Sequence, residues 1–236
     1  MCVVALAWAA HPRWRLVVVG NRDEFHTRAS APLERWADAP RVIAGRDLVS
    51  GGGWIGVSNE GRFAVVTNVA GHPRGAAAPS RGELVADYLR NGTLPRDAAL
   101  AAYGGFSLMT IGDTADFRTN QPEIQHSPLA PGLHGISNGP LDPPWPRTRT
   151  LTSALGDWLS ADHPIEALLD LLGDEIPTVA GERPVFIRDS VYGTRCSTVI
   201  AVDANGAGTI TERRFGPSGL RGGETRMTFS WPLRAP

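Results

Sequence analysis

The chain has 236 residues, 42% of them hydrophobic and 20% charged, which is enough to bury a sizeable core and ordinary for a globular protein. Its formal net charge of -1 offers no bulk attraction for nucleic acid or another polyanion. All 23 Lys+Arg residues are arginine, which excludes Schiff-base and other lysine chemistry, and two cysteines, Cys2 and Cys196, are too few for a disulfide framework.

The opening MCVVALAWAA is broken within a few residues by HPRWR. It is too short for a signal core or a membrane span, so the sequence predicts a cytoplasmic chain. Residues 2–8 and 15–20 are β-rich runs joined at His11-Pro12, which predicts a hairpin. Neither run alternates polar with apolar residues, as expected of strands covered on both faces. Residues 21–50 read as a polar, irregular stretch with NRDEF at its entrance. SGGGWIGVSNEGRFAVVTN then predicts two strands, about 54–58 and 62–67, around the Asn59-Glu60-Gly61 turn. SGGGW lacks the GK[ST] of a phosphate loop, and no dinucleotide fingerprint appears.

Ser80 and Glu83 form a capping box before LVADYL, with Gly92 placed to stop that helix. A short helix is expected over 95–103 and a strand over 106–111. A Pro/Gly-rich stretch runs from Gln121 to HGISNGPLDPPWPR. Helical patterns resume over 147–159 and 164–172, and strands near 184–188, 197–202, 209–215 and 225–231 finish the chain. No repeat, low-complexity tail or linker divides it, so a single domain over 1–236 is expected. Strands come in two blocks with helices between and after the first, unlike a strict βαβ alternation. The prediction is an α+β fold of mostly antiparallel sheets in a layered sandwich.

A cysteine inside an apolar run is by default a small core residue. The position of Cys2 adds a chemical reading: with Met1 removed it would carry a thiol and a free α-amine on one residue, a nucleophile and a base together. An antiparallel hairpin returns the end of its second strand to the start of its first. Arg22 and Asp23 of NRDEF should then lie near Cys2, where an arginine favours the thiolate and an aspartate can orient an ammonium group. Asn68 and Asn138 end the strand-like segments AVVTN and HGISN. Asparagine is a common turn former, but each amide could also donate to an oxyanion. In YGTRCSTVIAVD, strict alternation sends Arg195 and Cys196 to opposite faces, so that if Arg195 faces a site, Cys196 faces core. The six histidines show no metal-ligand spacing, so no metal is expected; His72 and His134 lie in segments adjoining the two asparagines.

MC at the start, NRDEF, GGGWIGVS, VVTN, HGISN with its following PW, YGTR before STVI, and the terminal ETRMTF occur in one order along essentially the whole chain. In these motifs the sequence resembles the NRDE family, also called the transport and Golgi organisation protein 2 family. That family is similar to the N-terminal-nucleophile (Ntn) hydrolases of the penicillin V acylase and bile-salt hydrolase type. The resemblance implies a four-layer αββα sandwich with Cys2 at the nucleophile position and Arg22 and Asp23 as the pair beside it. It implies an oxyanion role for Asn68, and matches Asn138 and Arg195 to the later asparagine and arginine of that site. Eukaryotic members are linked to haem trafficking and to lipid or acyl-CoA homeostasis.

Two functional readings follow. In the first the protein is an amidohydrolase that cleaves a non-peptide C–N bond through Cys2 and needs no cofactor. In the second it keeps the hydrolase fold and carries a small amphipathic molecule, haem or an acyl-CoA, with His72 and His134 as candidate haem ligands. A third, in which NRDEF only stabilises a turn, leaves the clustering of Cys2, Arg22 and Asp23 without a purpose.

Overall fold

The computed structural model describes residues 2–73, 75–161 and 163–233. The chain forms two compact units, one from Met1–Thr27, Pro131–Ser137 and Leu141–Phe229, the other from Arg28–Ala130, Asn138–Pro140 and Ser230–Pro236. The first unit opens with strands β1 (Val3–His11) and β2 (Trp14–Phe25). The second unit takes β3 (Ser30–Trp36), β4 (Ala39–Asp47), β5 (Ile55–Ser58) and β6 (Arg62–Asn68), then helices α1 (Arg81–Asn91) and α2 (Asp97–Leu100). It continues with β7 (Phe106–Ile111), β8 (Ala115–Thr119) and β9 (Gln125–Pro128). The chain returns to the first unit for β10 (Gly132–Ile136), α3 (Pro146–Ser160) and α4 (Leu168–Leu171), then β11 (Tyr192–Asp203), β12 (Ala207–Phe215) and β13 (Arg221–Ser230).

The first unit holds a six-stranded sheet in the order β10-β1-β2-β11-β12-β13. Val3, Ala5 and Ala7 of β1 and Val17 and Val19 of β2 point to one face, where they pack with Leu151, Leu155 and Trp158 of α3 and Leu168 and Leu169 of α4. The intervening residues Val4, Leu6, Leu16 and Val18 are also fully buried. Burial of both faces is why these strands read as unbroken apolar runs, and each such side chain contributes about 1.5–3 kcal/mol.

The second unit holds a seven-stranded sheet in the order β3-β4-β5-β6-β7-β8-β9. Helix α1 lays Leu84, Val85 and Leu89 against Trp36, Val42, Ala64, Val66 and Phe106. Both halves of its capping box form, and Gly92 closes it in the left-handed conformation at φ 71°. The triple glycine before it has a steric cause. A Cβ on Gly52 would sit 2.4 Å from the backbone carbon of Gly82, where the first turn of α1 crosses. Gly52→Ala is therefore expected to destabilise this unit by about 1–3 kcal/mol, read as a lower urea midpoint, whereas Gly51→Ala meets nothing within 4 Å and tests only the cost of its positive φ. Equal midpoints for Gly52→Ala and wild type would contradict the close approach.

Several elements differ from expectation. Residues 21–50 are not irregular: β2 runs through NRDEF to Phe25, and β3 and β4 follow. Their buried Leu33, Trp36, Val42, Ile43 and Ala44 are diluted by charges that stay at the surface, which masked the strand period. The Pro/Gly-rich stretch after Gln121 contains β9 and β10. Residues 184–188 form no strand although Val185 and Phe186 are buried, and 164–172 form a 3-10 turn, Ile165–Ala167, running into the single turn of α4. Among the described residues no helix is long and apolar enough to cross a membrane.

Candidate functional site

Register sets the site. Val3 pairs with Asn21 and Val4 with Gly20, so the same antiparallel step carried back one residue places Cys2 opposite Arg22. On the other side of β2, Cys196 of β11 also faces Arg22. The two thiols thus flank one arginine in a row across three adjacent strands. Two strand spacings separate their Cα atoms by roughly 9–10 Å, beyond the roughly 7 Å a disulfide tolerates, and both cysteines are free.

Neighbouring residues of β2 alternate faces. Asn21 and Asp23 turn towards the helices, and both are buried. Asn21 Nδ2 donates to the carbonyls of Leu172 at 2.9 Å and Val185 at 3.0 Å, and Ser197 Oγ donates to Asn21 Oδ1 at 2.6 Å. The Asp23 carboxylate accepts from Arg147 Nη2 at 2.6 Å and from Thr194 Oγ1 at 2.8 Å. Arg147 Nη2 also reaches the Val185 carbonyl at 2.8 Å, and the Tyr192 hydroxyl donates to the Asp23 carbonyl at 3.0 Å. The middle of NRDEF is thus a buried polar network that ties β2 to α3, to β11 and to the segment around Val185. Burial pushes the Asp23 carboxyl above its ordinary value, and the Arg147 guanidinium pulls against that rise.

Arg147 is a member of this network that motif reading missed. Its signal lies in the helical period: 147, 151 and 155 form one stripe, and Leu151 and Leu155 are fully buried. An arginine in the first turn of a helix, where the dipole disfavours cations, and on the buried stripe requires an anionic partner.

Cys2 is half-buried, and its carbonyl accepts from Ser137 Oγ at 2.7 Å. Burial holds its thiol above the ordinary value; the Asp23 charge adds to the rise and Arg22 opposes it. Burial raises the Cys196 thiol further, with Glu212 adding to the effect. Arg22 lies 3.8 Å from Glu24.

Strict alternation fails at Arg195. Thr194 pairs with Asp23 and Cys196 with Arg22, so a β-bulge makes Arg195 the extra residue. Thr194 therefore shares the face of Asp23 and Cys196 that of Arg22, an arrangement that strict alternation through Arg195 does not allow. Burial and the nearby Arg22 lower the Arg195 pKa, and its Nη1 donates to the carbonyls of Phe25 at 2.8 Å and His26 at 3.1 Å.

In the second unit, Asn68 ends β6 with its side chain exposed, and Asn138 Nδ2 donates to the Asn68 carbonyl at 2.8 Å. His72 is exposed in the loop after β6, bonded through its backbone to Gly105. His134, on β10 of the first unit, pairs with Leu6, four residues or roughly 13 Å along β1 from Cys2. Asp142 Oδ2 holds its Nδ1 at 2.9 Å. Among the described residues no group of three or more His, Cys, Asp and Glu is placed to hold a metal ion.

The raised thiol has a measurable consequence. With Met1 present, alkylation of Cys2 by iodoacetamide is expected to be slow at neutral pH and to accelerate past pH ~8.5, since only the thiolate reacts. Cys196 should react more slowly still. Mass spectrometry of the peptides at a series of pH values checks this; a rate that plateaus below pH ~8 would refute the raised value.

Residues 1–217 match the family model described as Transport and Golgi organisation 2. The human Transport and Golgi organization protein 2 homolog is 29% identical over 277 residues, covering 100% of each chain. The Bos taurus homolog is 32% identical over 255 residues, covering 90% of this chain and 92% of its own. The Drosophila melanogaster Transport and Golgi organization protein 2 is 26% identical, covering 86% and 88%. Among solved structures, the Caenorhabditis elegans ortholog of N-acylethanolamine-hydrolyzing acid amidase aligns with a TM-score of 0.51 at 10% identity, covering 84% of this chain and 92% of its own. At that identity the likeness concerns the fold alone, and it bears out the α+β fold of mostly antiparallel sheets expected from the sequence.

Proposed function

We propose that this chain, which belongs to the Transport and Golgi organisation 2 family, is an amidohydrolase that cleaves a non-peptide C–N bond with Cys2 as nucleophile after removal of Met1. The observation that carries the reading is the placement of Cys2 at the head of β1, where the register sets Arg22 opposite it and Asp23 next to that arginine on β2. The likeness in fold to an amidase supports it.

In this mechanism the α-amine freed at Cys2 takes the thiol proton as sulfur bonds to the amide carbon. The same proton then passes to the departing amine as the C–N bond breaks, leaving a thioester on Cys2. Water, deprotonated by the α-amine, cleaves the thioester, releases the acid and restores the thiol. An α-ammonium beside its own thiol also lowers the thiol pKa, reversing the effect of burial. Asp23 orients the amine, and Arg147 and Thr194 hold Asp23. Arg22 and Arg195 favour the thiolate or a substrate carboxylate. Asn68 and Asn138 enter as oxyanion donors only through the family motif.

Two measurements on one preparation test the proposal. Intact-mass analysis should show Cys2 as the first residue of the active species, and that species should release acid from N-acyl amides. Quantitative retention of Met1 in a preparation that turns over would sink it.

Burial holds the thiol of the unprocessed chain above its ordinary value and so disfavours the nucleophilic thiolate; the second reading is carriage of haem or an acyl-CoA without hydrolysis. Of its candidate ligands, His72 is exposed in the second unit, and His134 is held by Asp142 some way along β1 from Cys2 in the first. A Soret band on haem titration that shifts in Cys2→Ala or His134→Ala would support the carrier, and unchanged spectra would remove its haem form.

A further inference from the structure

Within the first unit, the end of β2 and the start of β11 open onto a cleft of about 580 Å³ lined by Phe25, Arg183, Ile187, Asp189 and Tyr192, a size that small-molecule sites occupy. Phe25 and Tyr192 form an aromatic wall, their rings edge to face at 5.0 Å. The Tyr192 hydroxyl is already engaged by the Asp23 carbonyl, so the ring is what remains for a ligand. Phe25 is 52% exposed, which leaves much of a large apolar ring in water.

Arg183 stands over the Tyr192 ring, its guanidinium carbon 5.8 Å from the centroid. Among the described residues no carboxylate lies within ion-pair distance of it. Asp189 is the acid of the lining, and its Oδ1 is taken up by the backbone N–H groups of Val191 at 2.8 Å and Tyr192 at 3.0 Å. An arginine without a carboxylate, beside an exposed aromatic wall, is complementary to one anionic group on a flat apolar body.

We propose that this cleft binds a small organic anion, its aromatic or branched apolar body against Phe25 and Tyr192 and its carboxylate or phosphate on Arg183. The site requires no chemistry at Cys2 and stands whether or not the chain is a hydrolase.

The test uses the full chain with 4-phenylbutyrate, its neutral primary amide and phenyl phosphate, with affinities from calorimetry. The acid should bind about tenfold more tightly than the amide, the advantage of a charge-assisted hydrogen bond. Arg183→Gln, at an exposed position, should abolish that advantage without moving the melting temperature, and Phe25→Ser should weaken acid and amide by similar factors. Whichever of phenylbutyrate and phenyl phosphate binds more tightly identifies the anionic group, and tight binding of either supports the site. Equal binding of acid and amide to wild type, an acid preference that survives Arg183→Gln, or no binding of any probe up to about 10 mM would overturn the proposal.

Discussion

Replacing Arg147 by methionine is expected to cost the fold about 3–5 kcal/mol, the loss seen when one partner of a buried ion pair is removed. The Asp23 side chain is fully buried and that of Arg147 is 8% exposed, so water cannot take over the role of either. The carboxylate would lose its guanidinium while keeping Thr194 Oγ1, and the Val185 carbonyl would lose the Arg147 donor. Asp23→Asn combined with Arg147→Met should recover much of the loss, because the charge that makes the single variant unstable is then absent. The sign of the pH dependence separates this account from a packing defect. Without Arg147, burial raises the Asp23 pKa further above its unfolded value. The native state then binds its proton more tightly than the unfolded state between those two pKa values. Stability of Arg147→Met should therefore fall as pH rises through that window and be relatively better in acid; the double variant should lose this slope. Chemical denaturation at several pH values reads both quantities. A single variant as unstable in acid as at neutral pH, or a double variant no better than the single, would refute the ion-pair account.

Cys2→Ala in protein lacking Met1 is expected to reduce hydrolysis of acyl amides by at least about 10³-fold, the scale on which loss of a nucleophile acts. Cys2→Ser is the informative companion. It keeps the shape of a half-buried side chain but replaces the thiol with a hydroxyl of much higher pKa. Both variants should melt close to wild type, since the helix-facing core around Val3 and the Asp23 network does not include the thiol. Turnover that persists in Cys2→Ala would remove the nucleophile, and with it the hydrolase reading, while leaving the cleft at Phe25 and Arg183 untouched.

The strands that were legible in the sequence are those whose period or capping is local. The β1–β2 hairpin, the two strands around Gly61 and the capped helix α1 each depend on residues within a few positions of one another. Strands β3 and β4 were not legible, because their exposed charges dilute the apolar residues that define a period. The neighbourhood of Cys2 was half legible. Hairpin connectivity alone brings Arg22 and Asp23 back to the start of β1. The face that Asp23 occupies, and its partner Arg147, required the tertiary structure: the pair spans 124 positions, and no local pattern specifies such a contact.

The bulge at Arg195 makes the same point. Alternation is a property of a regular strand, and whether the ladder slips by one residue is decided by the partner, here β2 with its buried Asp23 bonded to Thr194. By itself, then, the sequence determined the family, the fold class and the residues that gather at the start of β1. The tertiary structure decided which face each of them takes, that Asp23 is held by a buried arginine, and that the two thiols stand on either side of Arg22. Local chemistry is written along the chain, whereas the burial that shifts a pKa and the register that sets two groups side by side exist only once distant segments have packed.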